Sequence, residues 1–152
     1  MYHQDVIDFL VLRLSNKCEA QMGDLVAVVD DDFSVRESLE SLIRSVGLQV
    51  KVFASAEEFL TAGHRRDADC LVLDVRLPGM SGLELHRYLL SQNCKLPSIF
   101  ITAHASDERA RLEARSDWTV AYLTKPFGED ELLDAVHSAL KWKPEIKQAK
   151  QN

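Results

Sequence analysis

The sequence contains few cysteines, and their spacing fits no bonded or metal-binding framework. Cys18, Cys70 and Cys94 are odd in number and form no C-x-x-C pair. This pattern argues against a disulfide scaffold and against a structural zinc site. Thiols without a pairing scheme suit a reducing compartment, so we predict a cytoplasmic protein.

Long apolar runs are also missing. A membrane-spanning helix needs roughly 18 consecutive apolar residues. The nearest approach to such a run, residues 6–14, is interrupted by Asp8 and Arg13. The N-terminus also lacks the basic start, apolar centre and small-residue cleavage site of a signal peptide. We therefore expect no membrane partner.

Positive charge is scarce over most of the chain, whose formal net charge is -6. Residues 23–140 carry 20 Asp and Glu against 12 Lys and Arg, whereas residues 141–152 carry four Lys and one Glu. An acidic body repels the phosphate backbone of nucleic acid. We predict that this chain does not bind nucleic acid directly.

Length and composition indicate one domain. With 152 residues, of which 46% are hydrophobic, the chain can bury a core without disulfide bonds or structural metal ions. We predict a domain over residues 23–141, an N-terminal extension over residues 1–22 and a polar, lysine-rich tail or linker over residues 142–152. Met22 stands just before the first strong strand and is therefore a candidate translation start.

Apolar, β-branched runs alternate with amphipathic segments along the chain. Right-handed crossovers turn such a pattern into a parallel sheet covered by helices on both faces. The sequence therefore predicts an α/β fold, a doubly wound (βα)5 chain with five parallel strands. The predicted strands are 25–29, 49–53, 70–73, 98–101 and 120–124, and the predicted helices are 34–46, one opening at Ser55, 82–92, 106–115 and 129–141.

Three local signals mark where the first two helices begin and end. Ser34 to Glu37 and Ser55 to Glu58 have the S-x-x-E spacing of a capping box. Gly47 follows the first apolar helical face, where a residue with left-handed backbone commonly ends a helix. These signals predict a helix opening at Ser34 and closing before Gly47.

Polar residues follow four of the predicted strands. Asp30 and Asp31 come after the first strand, Asp74 after the third, Thr102 after the fourth and Lys125 after the fifth. In open α/β sheets, ligands bind at the carboxyl ends of the strands. Each residue alone has a structural explanation, such as a helix cap for an Asp or a solvated Lys. Their joint placement at one sheet edge predicts a functional site.

Four motifs resemble the receiver domain of two-component response regulators. They are Val28-Val29-Asp30-Asp31-Asp32, Leu73-Asp74 with Leu77-Pro78-Gly79-Met80-Ser81-Gly82-Leu83-Glu84-Leu85, Ile101-Thr102-Ala103, and Lys125-Pro126-Phe127. The resemblance covers about residues 24–140. This segment is similar to the receivers of FixJ-like and NtrC-like regulators. It implies a flavodoxin-like sheet of strand order 2-1-3-4-5, an aspartyl-phosphate switch and a cognate histidine kinase.

The residue types suit phosphoryl transfer to a carboxylate. Such a transfer brings an acceptor anion against a phosphoryl dianion and needs concentrated positive charge. Mg²⁺, with Mn²⁺ as a substitute, is held by carboxylate oxygens and water. We predict Asp74 as nucleophile and ligand, with Asp31, the Arg76 carbonyl and Asp30, directly or through water, as further ligands.

The remaining site residues would bind the phosphoryl group or respond to it. Lys125 and the Thr102 hydroxyl would each hold a phosphoryl oxygen, and the small Ala103 leaves room for the donor or for water. The resemblance implies a cis peptide bond at Pro126 and makes Tyr122 the partner of Thr102 in the switch. A half-buried strand tyrosine is the plain alternative for Tyr122.

Two further positions flank the site. Arg76 and His104, each two residues after a site residue, are placed to shield or admit water and so to set the phosphate lifetime. His3, His64, His86 and His137 have no ligand spacing among themselves and are predicted to serve packing or to lie at the surface.

The segment 106–119 departs from the receiver pattern. It is highly charged and lacks the small, glycine-containing ending that usually leads the fourth helix into the fifth strand. A homodimer through the face of helix 4, strand 5 and helix 5 is therefore expected to be weak and salt-sensitive. Trp118 is either an anchor of that interface or a cover for the helix end.

The rival interpretation is an enzyme. Asp30-Asp31-Asp32-Phe33-Ser34-Val35 also resembles the opening of haloacid-dehalogenase-like phosphatases, in which Asp30 would be the nucleophile. Those enzymes need another acidic strand end after the Lys, and no sixth strand follows Lys125. We predict a signalling switch rather than an enzyme, acting on a downstream protein or as the receiver of a longer DNA-binding regulator.

Overall fold

The computed structural model of the protein describes residues 24–63, 67–104 and 106–142. The predicted extension 1–22 and the tail beyond residue 142 lie outside the described residues. The strands are β1 (Leu25–Val29), β2 (Gln49–Phe53), β3 (Cys70–Asp74), β4 (Ser98–Thr102) and β5 (Thr119–Thr124). The helices are α1 (Phe33–Ser45), α2 (Ala56–Thr61), α3 (Gly82–Ser91), α4 (Glu108–Glu113) and α5 (Glu129–Leu140).

The five strands form one parallel sheet of order β2-β1-β3-β4-β5, which confirms the predicted order. Val29, the last residue of β1, lies opposite both Phe53 of β2 and Leu73 of β3. The three strands therefore end at the same level of the sheet. Side chains that follow β1 and end β3 must meet at this edge.

Helices cover the sheet on both faces, because the central strands are apolar on both sides. Every residue of β1, β3 and β4 is buried. Alternate residues of β1 point to opposite faces, with Val26 and Val28 on one side and Ala27 and Val29 on the other. The first face packs against α1 and α5 through Leu39, Ile43, Leu132 and Val136, and the second against α2, α3 and α4 through Phe59, Leu85, Leu89 and Ala110.

The start of α1 differs from the prediction. Asp32, rather than Ser34, is the N-cap, and its carboxylate accepts hydrogen bonds from the backbone N–H groups of Ser34 and Val35. The predicted Ser34 capping box is therefore wrong, because an earlier Asp satisfies the first N–H groups. The end was predicted correctly, since Gly47 has φ +87° just beyond the cap at Val46.

Helix α4 is shorter than the predicted 106–115. Asp107 caps its start by accepting from the Ala110 N–H, and the helix ends at Glu113. The Thr119 hydroxyl then donates to the Ala114 carbonyl, and the Arg115 N–H turns back to the Leu112 carbonyl. These bonds close the helix without a glycine.

A helix that crosses a membrane needs about 20 residues. Helix α1, with 13 residues, exceeds every other helix of the described ranges in length. Within those ranges, no helix combines the length and the hydropathy of a membrane span.

Candidate functional site

The ends of β1 and β3 bring two carboxylates together. Asp74 is the last residue of β3 and Asp30 follows β1 directly. Asp30 is completely buried, whereas Asp74 retains 6% of its exposure. A charged side chain is normally left in water unless a partner compensates it. The pair therefore requires a counter-charge.

Lys125 supplies that charge from the end of β5. Its Nζ lies 2.9 Å from Asp30 Oδ2 and 3.1 Å from Asp74 Oδ2, so one ammonium bridges both carboxylates. The Lys125 N–H donates to the Thr102 carbonyl at 2.7 Å, and the bond between Lys125 and Pro126 is cis. One lysine cannot neutralise two carboxylates, so the site retains negative charge.

The remaining charge belongs to a cluster that suits a hard cation. Carboxylate oxygens of Asp30, Asp31 and Asp74 all lie within 4.8 Å of one another, and Asp31 is exposed. Ligands of an octahedral Mg²⁺, at about 2.1 Å from the ion, are roughly 3 to 4 Å apart. Small side-chain movements would let the three oxygens surround one ion. The donor set therefore fits Mg²⁺.

The environment of Asp74 sets its proton affinity. Burial, and then the neighbouring Asp30 carboxylate, raises the pKa of Asp74 to about 6, although the Arg76 N–H and Lys125 act in the opposite direction. Burial alone would lower the pKa of Lys125, but its bonds to Asp30 and Asp74 raise it above the ordinary value. At neutral pH the site thus holds an ionised Asp74 beside a charged ammonium.

The three consecutive aspartates have different surroundings. Asp30 Oδ1 accepts from the Asp32 N–H at 2.8 Å, while Asp32 caps α1. The Arg36 guanidinium donates to the Asp30 carbonyl at 2.8 Å and braces the turn. Asp31 is the exposed member that joins the carboxylate cluster. The turn thus presents one buried and one exposed carboxylate to Asp74.

Glycine at position 82 allows the loop after Asp74 to pack against the strand end. A Cβ at Gly82 would lie 2.1 Å from the Asp74 carbonyl oxygen, far inside any tolerated contact. The Arg76 N–H donates to Asp74 Oδ1 at 3.0 Å and fixes the carboxylate. Gly82 therefore serves the geometry of Asp74 through close backbone approach.

Thr102 ends β4 at the same edge. It is buried, and its Oγ1 accepts from the His104 N–H at 3.0 Å, which leaves the hydroxyl hydrogen able to donate elsewhere. Ala103 follows Thr102 and is exposed. Thr102 and the exposed Ala103 thus lie at the same edge of the sheet as the carboxylate cluster.

Tyr122 lies half-buried in β5. Its hydroxyl is buried and forms no hydrogen bond of ordinary geometry among the described residues, although the Thr102 side chain lies close enough to act against the rise in its pKa. Its ring is in tilted contact with Phe100, with 6.4 Å between ring centroids, and the Arg111 guanidinium lies 5.0 Å from its centre. Burial, together with the Asp107 carboxylate, raises the pKa of Tyr122. The phenol therefore stays neutral at physiological pH.

Arg76 points to α4. Its guanidinium forms an ion pair with the carboxylate of Asp107, the N-cap of that helix. Sequence reasoning identified Arg76 but not Asp107 or Arg111. The predicted start of this helix at residue 106 lay close to Asp107 but did not identify it as the cap. Sequence spacing gave no signal for the Arg111 contact with Tyr122.

A polar network holds the turn between α4 and β5. Ser116 Oγ lies 2.8 Å from His86 Nε2 and 3.1 Å from Thr119 Oγ1, and it accepts from the Trp118 N–H at 3.0 Å. Thr119 uses its hydrogen on the Ala114 carbonyl, so Ser116 must donate to Thr119. With the Ser116 hydrogen assigned to Thr119, we assign the hydrogen of neutral His86 to Nε2, as the donor to Ser116.

A family model for the response regulator receiver domain matches residues 26–137. Among curated proteins, the response regulator protein TodT of Pseudomonas putida is 44% identical over 123 residues, which cover 81% of this chain and 54% of TodT. Nodulation protein W of Bradyrhizobium diazoefficiens is 48% identical over 121 residues, covering 80% of this chain and 53% of that protein. The chain spans about half the length of the curated relatives it matches.

Solved structures give the same relation. The response regulator StyR is 42% identical with a TM-score of 0.70, and the match covers 84% of this chain and 64% of StyR. The structure named FixJ-N is 37% identical with a TM-score of 0.70, and the match covers 78% of this chain and 94% of that one.

Proposed function

The chain belongs to the response regulator receiver domain family, and from that premise we propose that Asp74 accepts a phosphoryl group from a histidine kinase with Mg²⁺ bound beside it. We place this receiver at residues 23–141. The observation that carries the proposal is the Lys125 ammonium between Asp30 and Asp74, of which Asp74 alone retains solvent access. A donor can reach Asp74 more easily than Asp30.

The reaction transfers a phosphoryl group from a histidine nitrogen to a carboxylate oxygen of Asp74. The P–N bond breaks, the P–O bond forms, and the histidine keeps the electron pair. Mg²⁺, or Mn²⁺ in its place, supplies positive charge to the phosphoryl oxygens when bound by Asp30, Asp31, Asp74 and the Arg76 carbonyl. The protein's own side chains position the oxygens.

Two side chains would bind the oxygens of the phosphoryl group once it is on Asp74. Lys125 already contacts Asp74 Oδ2 at 3.1 Å and would hold a phosphoryl oxygen as a point charge. The Thr102 hydroxyl hydrogen would donate to another oxygen, and the exposed Ala103 would leave space for it. Movement of Thr102 toward the phosphoryl group would favour an inward orientation of the Tyr122 side chain. Thr102 and Tyr122 are therefore the proposed switch.

The product is a signalling state rather than a released compound, so we propose a switch and not an enzyme. The cognate kinase, a downstream protein or a further output domain, and a weak homodimer through α4, β5 and α5 are the proposed partners. We propose that this chain does not bind nucleic acid directly and that the protein acts in the cytoplasm. Nothing in the comparisons supports the haloacid-dehalogenase-like alternative.

The test is phosphoryl labelling with acetyl phosphate or a phosphorylated kinase. With Mg²⁺, the protein should gain one acid-stable, base-labile phosphoryl group, detected by intact-mass spectrometry. Asp74→Asn should abolish the label, because the nucleophile is lost. Asp30→Asn should retain it but lower the apparent Mg²⁺ affinity by about tenfold or more.

The matched Asn variants separate the two candidate nucleophiles. Each replaces one carboxylate by an amide of the same shape at the same cluster. A label that survives in Asp74→Asn and disappears in Asp30→Asn would reject Asp74 as the acceptor. Full labelling of the native chain in excess EDTA would reject the metal.

A further inference from the structure

An ion pair connects the loop after Asp74 to the first turn of α4. Arg76 holds Asp74 through its backbone N–H, while its guanidinium contacts the Asp107 carboxylate. Asp107 in turn caps α4 by accepting from the Ala110 N–H at 2.9 Å. One arginine thus joins the acceptor loop and the start of the helix.

The same helix contacts the tyrosine of the proposed switch. Arg111, one turn after Asp107, places its guanidinium 5.0 Å from the Tyr122 ring centre. The Tyr122 hydroxyl is buried and forms no hydrogen bond of ordinary geometry among the described residues, Thr102 included. A buried hydroxyl without a hydrogen bond is unfavourable. This arrangement of Tyr122 therefore needs other contacts to hold it, and α4 provides one.

We propose that the ion pair between Arg76 and Asp107 is a latch: it keeps α4 in its unphosphorylated position, and a phosphoryl group on Asp74 breaks it. The inference rests on the proposed function. Phosphorylation replaces the single negative charge of Asp74, which Arg76 already contacts, with an acyl phosphate that carries about two. It therefore competes with the single charge of Asp107 for the guanidinium.

Opening the latch changes contacts along one continuous path. Asp107 loses its counter-ion but keeps its cap bond to Ala110, so α4 can shift without unfolding. The shift moves Arg111 relative to the Tyr122 ring, which can then turn its hydroxyl toward a partner. A ligand changes a conformational equilibrium only through contacts that differ between the states. The Arg76 pair is such a contact in addition to those of Thr102 and Lys125.

The test variant is Asp107→Asn in the full chain. Asparagine caps helices as well as aspartate does, so the variant removes the ion pair and keeps the cap. Beryllofluoride with Mg²⁺ serves as the phosphoryl probe, and its dissociation constant should fall about two- to fivefold, since an exposed pair no longer favours the unswitched state. The Tyr122 and 108–113 amide signals of the probe-free variant should also move toward their probe-bound positions.

Glu113→Gln is the matched control, because Glu113 pairs with Arg87 and Arg109 on the same side of the molecule and does not contact Arg76. Its probe affinity and Tyr122 signal should match the native chain. Native and Asp107→Asn chains with equal affinities and equal signals would overturn the latch alone. Absence of probe binding to the native chain with Mg²⁺ would instead overturn the proposed function.

Discussion

Strands β1 and β3 and the α4–β5 region, residues 106–124, are held in place by different forces. All residues of β1 and β3 are buried in the apolar core. In β5 only Leu123 is buried, and the six-residue α4 buries only Ala110. The proposed acceptor Asp74 and the neighbouring Asp30 stand at the ends of these rigidly packed strands. The residues that would respond stand on a part of the fold that apolar packing holds less firmly.

Polar contacts replace apolar packing in the α4–β5 region. Arg76 pairs with Asp107, His86 donates to Ser116, and the Trp142 indole N–H donates to the Asp117 carbonyl at 2.7 Å. Such contacts exchange partners at little cost, whereas a close-packed core resists gradual deformation. A switch needs two arrangements of similar energy, and this region can supply them.

The largest expected effect compares two leucines. Leu71 in β3 is fully buried, and Leu112 in α4 is 60% exposed. Leu71→Ala should lower the free energy of unfolding by about 2 to 5 kcal/mol, because it removes buried methyl groups and leaves a cavity. Leu112→Ala should change it by less than about 0.5 kcal/mol. Urea unfolding of both variants measures the difference.

Leu112→Ala is the control, since it makes the same chemical change outside the core. A loss comparable to that of Leu71→Ala would mean that another surface covers α4 in solution. The contrast between the two regions would then reflect an interface, and Trp118 would become a candidate anchor rather than a cover.

Much of the rigid region could be predicted from the sequence. Apolar runs such as residues 25–29 and 70–73 have a composition and length that few structures other than buried strands satisfy. Parallel strands then place Asp30, Asp74 and Lys125 at one edge without further information. The close approach of these residues in the structure follows from topology alone.

The α4–β5 region was harder to predict because its contacts join side chains far apart in sequence. Nothing near His86 indicates that it donates to Ser116, and nothing near Arg111 indicates the ring of Tyr122. The choice of Asp32 over Ser34 as a cap was missed for a related reason. Several polar residues could each accept from the same N–H groups. The path of the backbone from β1 into α1 decides which one does.

The second prediction tests the polar attachment of α3 to the α4–β5 region. Burial, and then the charge of Arg87, lowers the pKa of His86 from 6.5 to about 4. Between pH 6.5 and 4, His86 is therefore neutral in the folded state and protonated in the unfolded state. Stability from this group is complete above pH 6.5 and is lost as the pH falls to 4, by about 3 kcal/mol in all. Urea unfolding between pH 7.5 and 4 measures the loss.

His86→Gln is the matched variant, because its amide can place an N–H near the position of Nε2 but does not titrate. The difference in unfolding free energy between native and variant chains should change by about 3 kcal/mol across this range. A constant difference at every pH would show that His86 is not the buried neutral donor, and the polar attachment would need another origin.

The smallest expected effect concerns the end of α5. Trp142→Phe keeps an aromatic ring but removes the indole N–H that donates to the Asp117 carbonyl. Loss of one exposed hydrogen bond costs about 0.5 to 1 kcal/mol, so amide hydrogen exchange at residues 115–119 should accelerate about two- to fivefold while β1 stays unchanged. Trp118→Phe, which keeps the backbone N–H bonded to Ser116, is the control. Equal acceleration in β1 would contradict the separation of the two regions.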